Sequence, residues 1–201
     1  MKYGTLLRLS SVCEAPEKLA ALREFGMDAC QLIYKPEKYD TPDAPAIKKA
    51  AEDPGIELSA QFCGYRASKC IWDTRFDFLN SGINSPFYGG ERVNYLLSAI
   101  PFMKALGVTD MVIHPGFIPN DPFADAYSRM LAAVGLLGTR LRAAGLNLLF
   151  ETGTESPISL LRLILDSRLD NLYINLDTAN PIMYGFGNPV DALYTFGKYV
   201  R

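Results

Sequence analysis

Apolar residues recur along this chain in two alternating rhythms. Short apolar runs at 3–9, 28–34, 56–62, 110–114, 146–151 and 171–177 have the length of strands. Longer segments at 16–26, 44–55, 91–107, 125–145, 156–167 and 189–200 space their apolar residues three and four apart, the period of an amphipathic helix. The phrases LREFGMDACQL, MKALGVTDMVI and LRAAGLNLLF share one grammar, a helical run stopped by Gly26, Gly107 or Gly145 and followed by a strand. Six βα units can be counted, which predicts an α/β fold with a parallel sheet.

Two architectures use this alternation, the doubly wound sheet and the (β/α)8 barrel. A dinucleotide-binding sheet calls for GxGxxG after its first strand, and LSSVCEAPE follows instead. His114, Glu151 and Asp177 fall at the C-terminal ends of the fourth, fifth and sixth predicted strands. Polar groups gathered at successive strand ends suit a barrel mouth. The expected fold is therefore α/β of the (β/α)8 TIM-barrel type, one incomplete domain over 1–201 with six of the eight units that closure requires. Residues 63–90 form a long insert after the third strand, expected to be a lid or wall over the mouth.

Composition narrows the function. Hydrophobic residues make up 49% of the chain, enough for a sizeable core. Lysine and arginine number 20 against 22 acidic residues, so there is no basic field for nucleic acid. No run reaches membrane length, and the N-terminus lacks a signal-peptide core, so neither membrane nor secretion is expected. Cys13, Cys30, Cys63 and Cys70 form no CxxC pair and read as idle thiols of a reducing, cytoplasmic compartment. His114 is the single histidine. A metal site in this chain must then lean on carboxylates, which favours Mg2+ or Mn2+.

Each candidate residue has a functional and a structural reading. Glu151, in LLFETG, ends an apolar strand where an unpaired carboxylate is costly; it reads as a metal or substrate ligand, or as a cap for the next helix. Asp177, in INLDTAN, repeats the arrangement one strand later, with an Asx-turn or capping role as its alternative. Two carboxylates on adjacent strand ends repel unless something cationic joins them, so the pair is a stronger signal than either member. His114, in VIHPG, reads as a substrate contact, a metal ligand or a core histidine. Asn180 reads as a ligand contact or a turn residue. Trp72, with Tyr65 and Phe87 near it in sequence, reads as a sugar-stacking wall or a loop anchor. The Asn188-Pro189 step reads as a helix N-cap with proline at the first helical position.

LLFETG, INLDTAN, VIHPG, NPVDAL and FGKYV, with the six βα units, resemble the xylose-isomerase-like TIM barrels, the sugar phosphate isomerase/epimerase family. The resemblance implies one divalent ion, Mn2+ or Mg2+ with Zn2+ or Co2+ as alternatives. Glu151 and Asp177 match the ligands after strands 5 and 6; the histidine and glutamate after strands 7 and 8 have no counterpart before Arg201. It also implies that Glu151 is one of two glutamates exchanging a proton beside a ketose carbonyl, while the metal polarises that carbonyl and the developing enediolate. Zinc-dependent apurinic endonucleases share the barrel and an HPG motif, but they need several histidines.

Two function classes follow. The first is a divalent-metal-dependent isomerase or epimerase acting on a small carbohydrate or sugar phosphate. The second is a catalytically incomplete or truncated relative, a non-enzymatic sugar-binding or oligomer-forming protein. Open strand edges and uncovered apolar helix faces predict a homo-oligomer if 201 residues is the native length.

Overall fold

The glycines that stop the helical runs do so by turning left. Gly26, Gly107 and Gly145 take φ of 78°, 81° and 75°, a conformation open to glycine at no steric cost. The computed structural model describes residues 1–64 and 82–201. Each of these turns hands a helix on to a strand: α1 (Ala15–Glu24) to β2 (Ala29–Ile33), α4 (Ile100–Leu106) to β4 (Asp110–Ile113), and α5 (Asp125–Ala143) to β5 (Asn147–Glu151). The other strands are β1 (Gly4–Leu7), β3 (Glu57–Phe62) and β6 (Leu172–Asn175). The remaining helices are α2 (Ala44–Glu52), α3 (Gly89–Ser98), α6 (Pro157–Ser167), α7 (Asn180–Met183) and α8 (Pro189–Phe196).

The six strands form one sheet in the order β1-β2-β3-β4-β5-β6. The β1–β2, β2–β3 and β5–β6 ladders are parallel. Strand order that follows chain order, with no reversal at a switch point, separates this sheet from the doubly wound alternative. Beyond β6, Val200 forms a parallel bridge with Ile174, and the Arg201 amide donates to the Ile174 carbonyl at 3.0 Å. FGKYV thus turns from helix back to sheet.

The chain divides into two compact units. The first, Met1–Gly64 with Ser98–Met111, buries Leu19, Leu32, Ile47, Phe102 and Met103. The ring of Phe102 lies 5.8 Å from those of both Tyr34 and Tyr39, in tilted pairs, and the Tyr39 hydroxyl donates to the Ile33 carbonyl. The second unit, Tyr65–Leu97 with Val112–Arg201, carries His114, Glu151 and Asp177. Its core gathers Val134, Leu137, Leu141, Leu148, Phe150, Leu163, Ile174 and Phe196. Asn171, buried below β6, donates to the carbonyls of Gly138 and Leu146 at 3.0 Å each, tying α5 to the start of that strand.

Several boundaries differ from the expectation: the strand expected over 3–9 runs from Gly4 to Leu7, and the helix expected over 189–200 ends at Phe196. The helical pattern over 91–107 is broken at Ala99 into α3 and α4, because Pro101 at the head of α4 has no amide to continue the ladder. The last strand ends at Asn175, so Asp177 belongs to the loop beyond it. The step at Asn188 is as expected: its side chain accepts from the Val190 amide at 2.8 Å, and Pro189 opens α8. Of the insert at 63–90, residues 65–81, Trp72 among them, lie outside the described residues. Among the described residues no helix is long and apolar enough to cross a membrane.

Candidate active site

The site in the second unit is built on three strand-end loops. His114 directly follows β4 and Glu151 closes β5. Their side chains meet, with Nε2 of His114 3.2 Å from Oε1 of Glu151, and both are largely withdrawn from solvent at 17% and 13% exposure. The imidazole edge thus stands within ion-pair distance of the partly buried carboxylate, where burial calls for a polar partner. The HPG loop behind His114 is fixed by close backbone approach. A Cβ on Gly82, whose φ is 59°, would stand 1.9 Å from the Pro115 carbonyl oxygen, and the Ile83 amide donates to that oxygen. Asn84 adds a bond to the Phe117 carbonyl at 3.2 Å.

Thr152 ties the ends of β5 and β6 together. Its hydroxyl donates to the Asp177 carbonyl at 2.8 Å and accepts from the Asp177 amide at 2.9 Å. The Asn180 side chain donates to the Thr152 carbonyl at 2.8 Å. Asp177 is half-buried. Its Oδ1 accepts from the amides of Ala179 at 2.7 Å and Asn180 at 3.3 Å, closing an Asx-type turn into α7. The turn roles weighed for Asp177 and Asn180 are therefore both present, and the second carboxylate oxygen of Asp177 has no hydrogen bond among the described residues.

The sequence reading missed Glu155. It lies two residues beyond Gly153 and is 5% exposed. Its Oε1 accepts from the Gly153 amide at 2.9 Å. Burial pushes its carboxyl up to about 7; the Gly153 amide and its own amide oppose the rise, and the charge of Glu151 adds to it. The only sequence signal was a second glutamate four residues after Glu151 in ETGTE, which without coordinates reads as helix-entry polarity.

Glu151 and Asp177 are hard oxygen donors at neighbouring strand ends, and each keeps an oxygen not engaged in the bonds above. That chemistry fits part of a coordination shell for a divalent cation. Among the described residues, no group of three or more His, Cys, Asp or Glu side chains is arranged to hold a metal.

A parallel sheet in chain order, with its polar side chains at the C-terminal strand ends, defines an α/β protein of the barrel class. The family model described as "Xylose isomerase-like TIM barrel" matches residues 19–201, and the chain belongs to that family. Among solved structures, a xylose isomerase domain protein from Planctomyces limnophilus is similar at 25% identity and TM-score 0.88, over 100% of this chain and 71% of that one. A D-psicose 3-epimerase from Clostridium cellulolyticum H10, solved with D-tagatose, aligns at 15% identity and TM-score 0.75 over 100% and 71% of the two chains. A 3-keto-D-glucoside 4-epimerase from E. coli aligns at 13% and 0.71 over 100% and 76%. The last two likenesses are of fold alone. No curated protein matches the chain.

Proposed function

We propose that this protein is an isomerase or epimerase of a small ketose or sugar phosphate, with Glu151 as the group that moves the proton beside the carbonyl. The observation that carries the reading is the Glu151–His114 pair at neighbouring strand ends, in a family whose solved neighbours include sugar epimerases. A carboxylate at the end of β5 accepts the proton from carbon; in an isomerase it returns it to the neighbouring carbon, while epimerisation takes the second glutamate that the family resemblance implies, on the opposite face. The His114 N–H holds the Glu151 carboxylate in one orientation and offers a hydrogen bond to a substrate hydroxyl. Asp177 and Glu151 would hold the divalent ion, Mn2+ or Mg2+ before Zn2+ or Co2+; bound there, it supplies polarisation of the carbonyl oxygen. Asn180 keeps Thr152, and with it Asp177, in place. Trp72 is our candidate for stacking on the sugar ring.

Incubation with a panel of ketoses and ketose phosphates in D2O with Mn2+ tests this reading. Deuterium entering the carbon beside the carbonyl, lost by about 10²- to 10⁴-fold in Glu151→Gln, is the expected result. An equal rate in wild type and variant would remove Glu151 from the role.

We also propose a homo-oligomer, on the apolar side chains left exposed on α7 and α8, Ile182, Met183, Val190, Leu193 and Tyr194. A single monomer species in sedimentation velocity would argue against it. A cytoplasmic setting is supported by the free thiols of Cys13, Cys30 and Cys63.

A further inference from the structure

Glu155 takes no part in the mechanism above, yet it is the most deeply buried acid beside the site. A buried carboxyl is expensive, and a neutral amide or hydroxyl would satisfy one backbone N–H at lower cost. Its placement is specific. One oxygen holds the Gly153 amide at 2.9 Å. The other, Oε2, lies 3.4 Å from the point where a Cβ on residue 153 would stand, and Nδ1 of His114 lies 3.5 Å from that same point. The bare face of Gly153 therefore has the Glu155 carboxyl and the imidazole as its two neighbours. The opposite edge of that imidazole, Nε2, faces Glu151 at 3.2 Å.

We propose that Glu155 is a positioning residue: through Gly153 it fixes the seat of the His114 ring, and through the ring the orientation of Glu151. The proton affinity of Glu155, raised by burial, agrees with a group enclosed on all sides rather than one serving solvent. The catalytic consequence rests on the reading of Glu151 as the proton-transferring group; the placement of the ring does not. Misplacing a reacting group by about 1 Å costs on the order of 10²-fold in rate.

Because His114 is the only histidine, its ring nitrogen and carbon NMR signals report that seat without ambiguity. Glu155→Gln keeps an acceptor for the Gly153 amide and is expected to leave those signals in place. Glu155→Leu, which cannot accept, is expected to shift them. Asn188→Ala, which removes the cap of α8 and touches none of these groups, serves as a control of comparable instability and is expected to leave them unmoved. Should Glu155→Leu not fold, Glu155→Ala replaces it, which likewise cannot accept from the Gly153 amide and is expected to move the ring signals. Unmoved signals in the folded Leu or Ala variant, or equal shifts in the control, would overturn the proposal. In the deuterium-exchange assay, Glu155→Leu or Glu155→Ala is expected to lower kcat by about 10²-fold with KM nearly unchanged. If the wild type shows no exchange, the proposed reaction fails while the NMR result still decides the placement.

Discussion

Asp177 shows how one side chain can carry two duties that substitution separates. Its Oδ1 caps the turn into α7 through two amides. Asp177→Asn retains that acceptor, so thermal stability is expected to hold while Mn2+ binding weakens in a calorimetric titration. Asp177→Ala loses both, and the missing cap should lower stability by about 1 kcal/mol. Glu155 makes a pH prediction. Its carboxyl is raised from 4.5 to about 7 on folding, so the folded state binds the proton more tightly than the unfolded chain. The stability linked to that proton is fully present below pH 4.5 and is lost as pH rises through about 7, a difference of roughly 3 kcal/mol. Urea denaturation at pH 5 and pH 8 should show the drop in wild type, and Glu155→Gln should flatten it. A variant as pH-dependent as wild type would assign the slope to other groups.

At the scale of elements, the rhythm of apolar positions announced each strand and every helix core but that of the short α7, because period 2 and period 3.6 are local properties of the chain. Ends were less legible. Asp177 continues the alternation of β6 in sequence, but the pairing register ends with Glu151 opposite Asn175, and a partner strand is not a local property. Helix 91–107 was read whole since its spacing runs through Pro101; only the backbone break at Ala99 divides it. In the site, Glu151, His114 and Asp177 could be found from the sequence because each interrupts an apolar run. Glu155 could not, since nothing in ETGTE distinguishes a buried acid from a solvated one. Gly82 is a further case: its close approach to Pro115 joins residues 33 positions apart and leaves no mark on periodicity. Gly82→Ala forces both an unfavourable φ and a collision with backbone. The expected cost is about 2 kcal/mol or more, together with displaced His114 signals, read by thermal unfolding and by NMR.

At the scale of the molecule, six parallel strands in chain order place His114, Glu151 and Asp177 at the same, C-terminal edge of the sheet. That is why a short constellation of strand-end residues can be read as one site. The Thr152 hydroxyl bridges two of those strand ends through both backbone groups of Asp177. The consequence concerns how the protein breathes. The rim of β5 cannot loosen without the rim of β6, so the amides of Thr152 and Asp177 should exchange with deuterated solvent at one shared rate. Thr152→Val, which keeps the shape and removes the tie, should let the Asp177 amide exchange ahead of its neighbour. The mouth of the sheet would then have gained a hinge where it now has a single rigid lip.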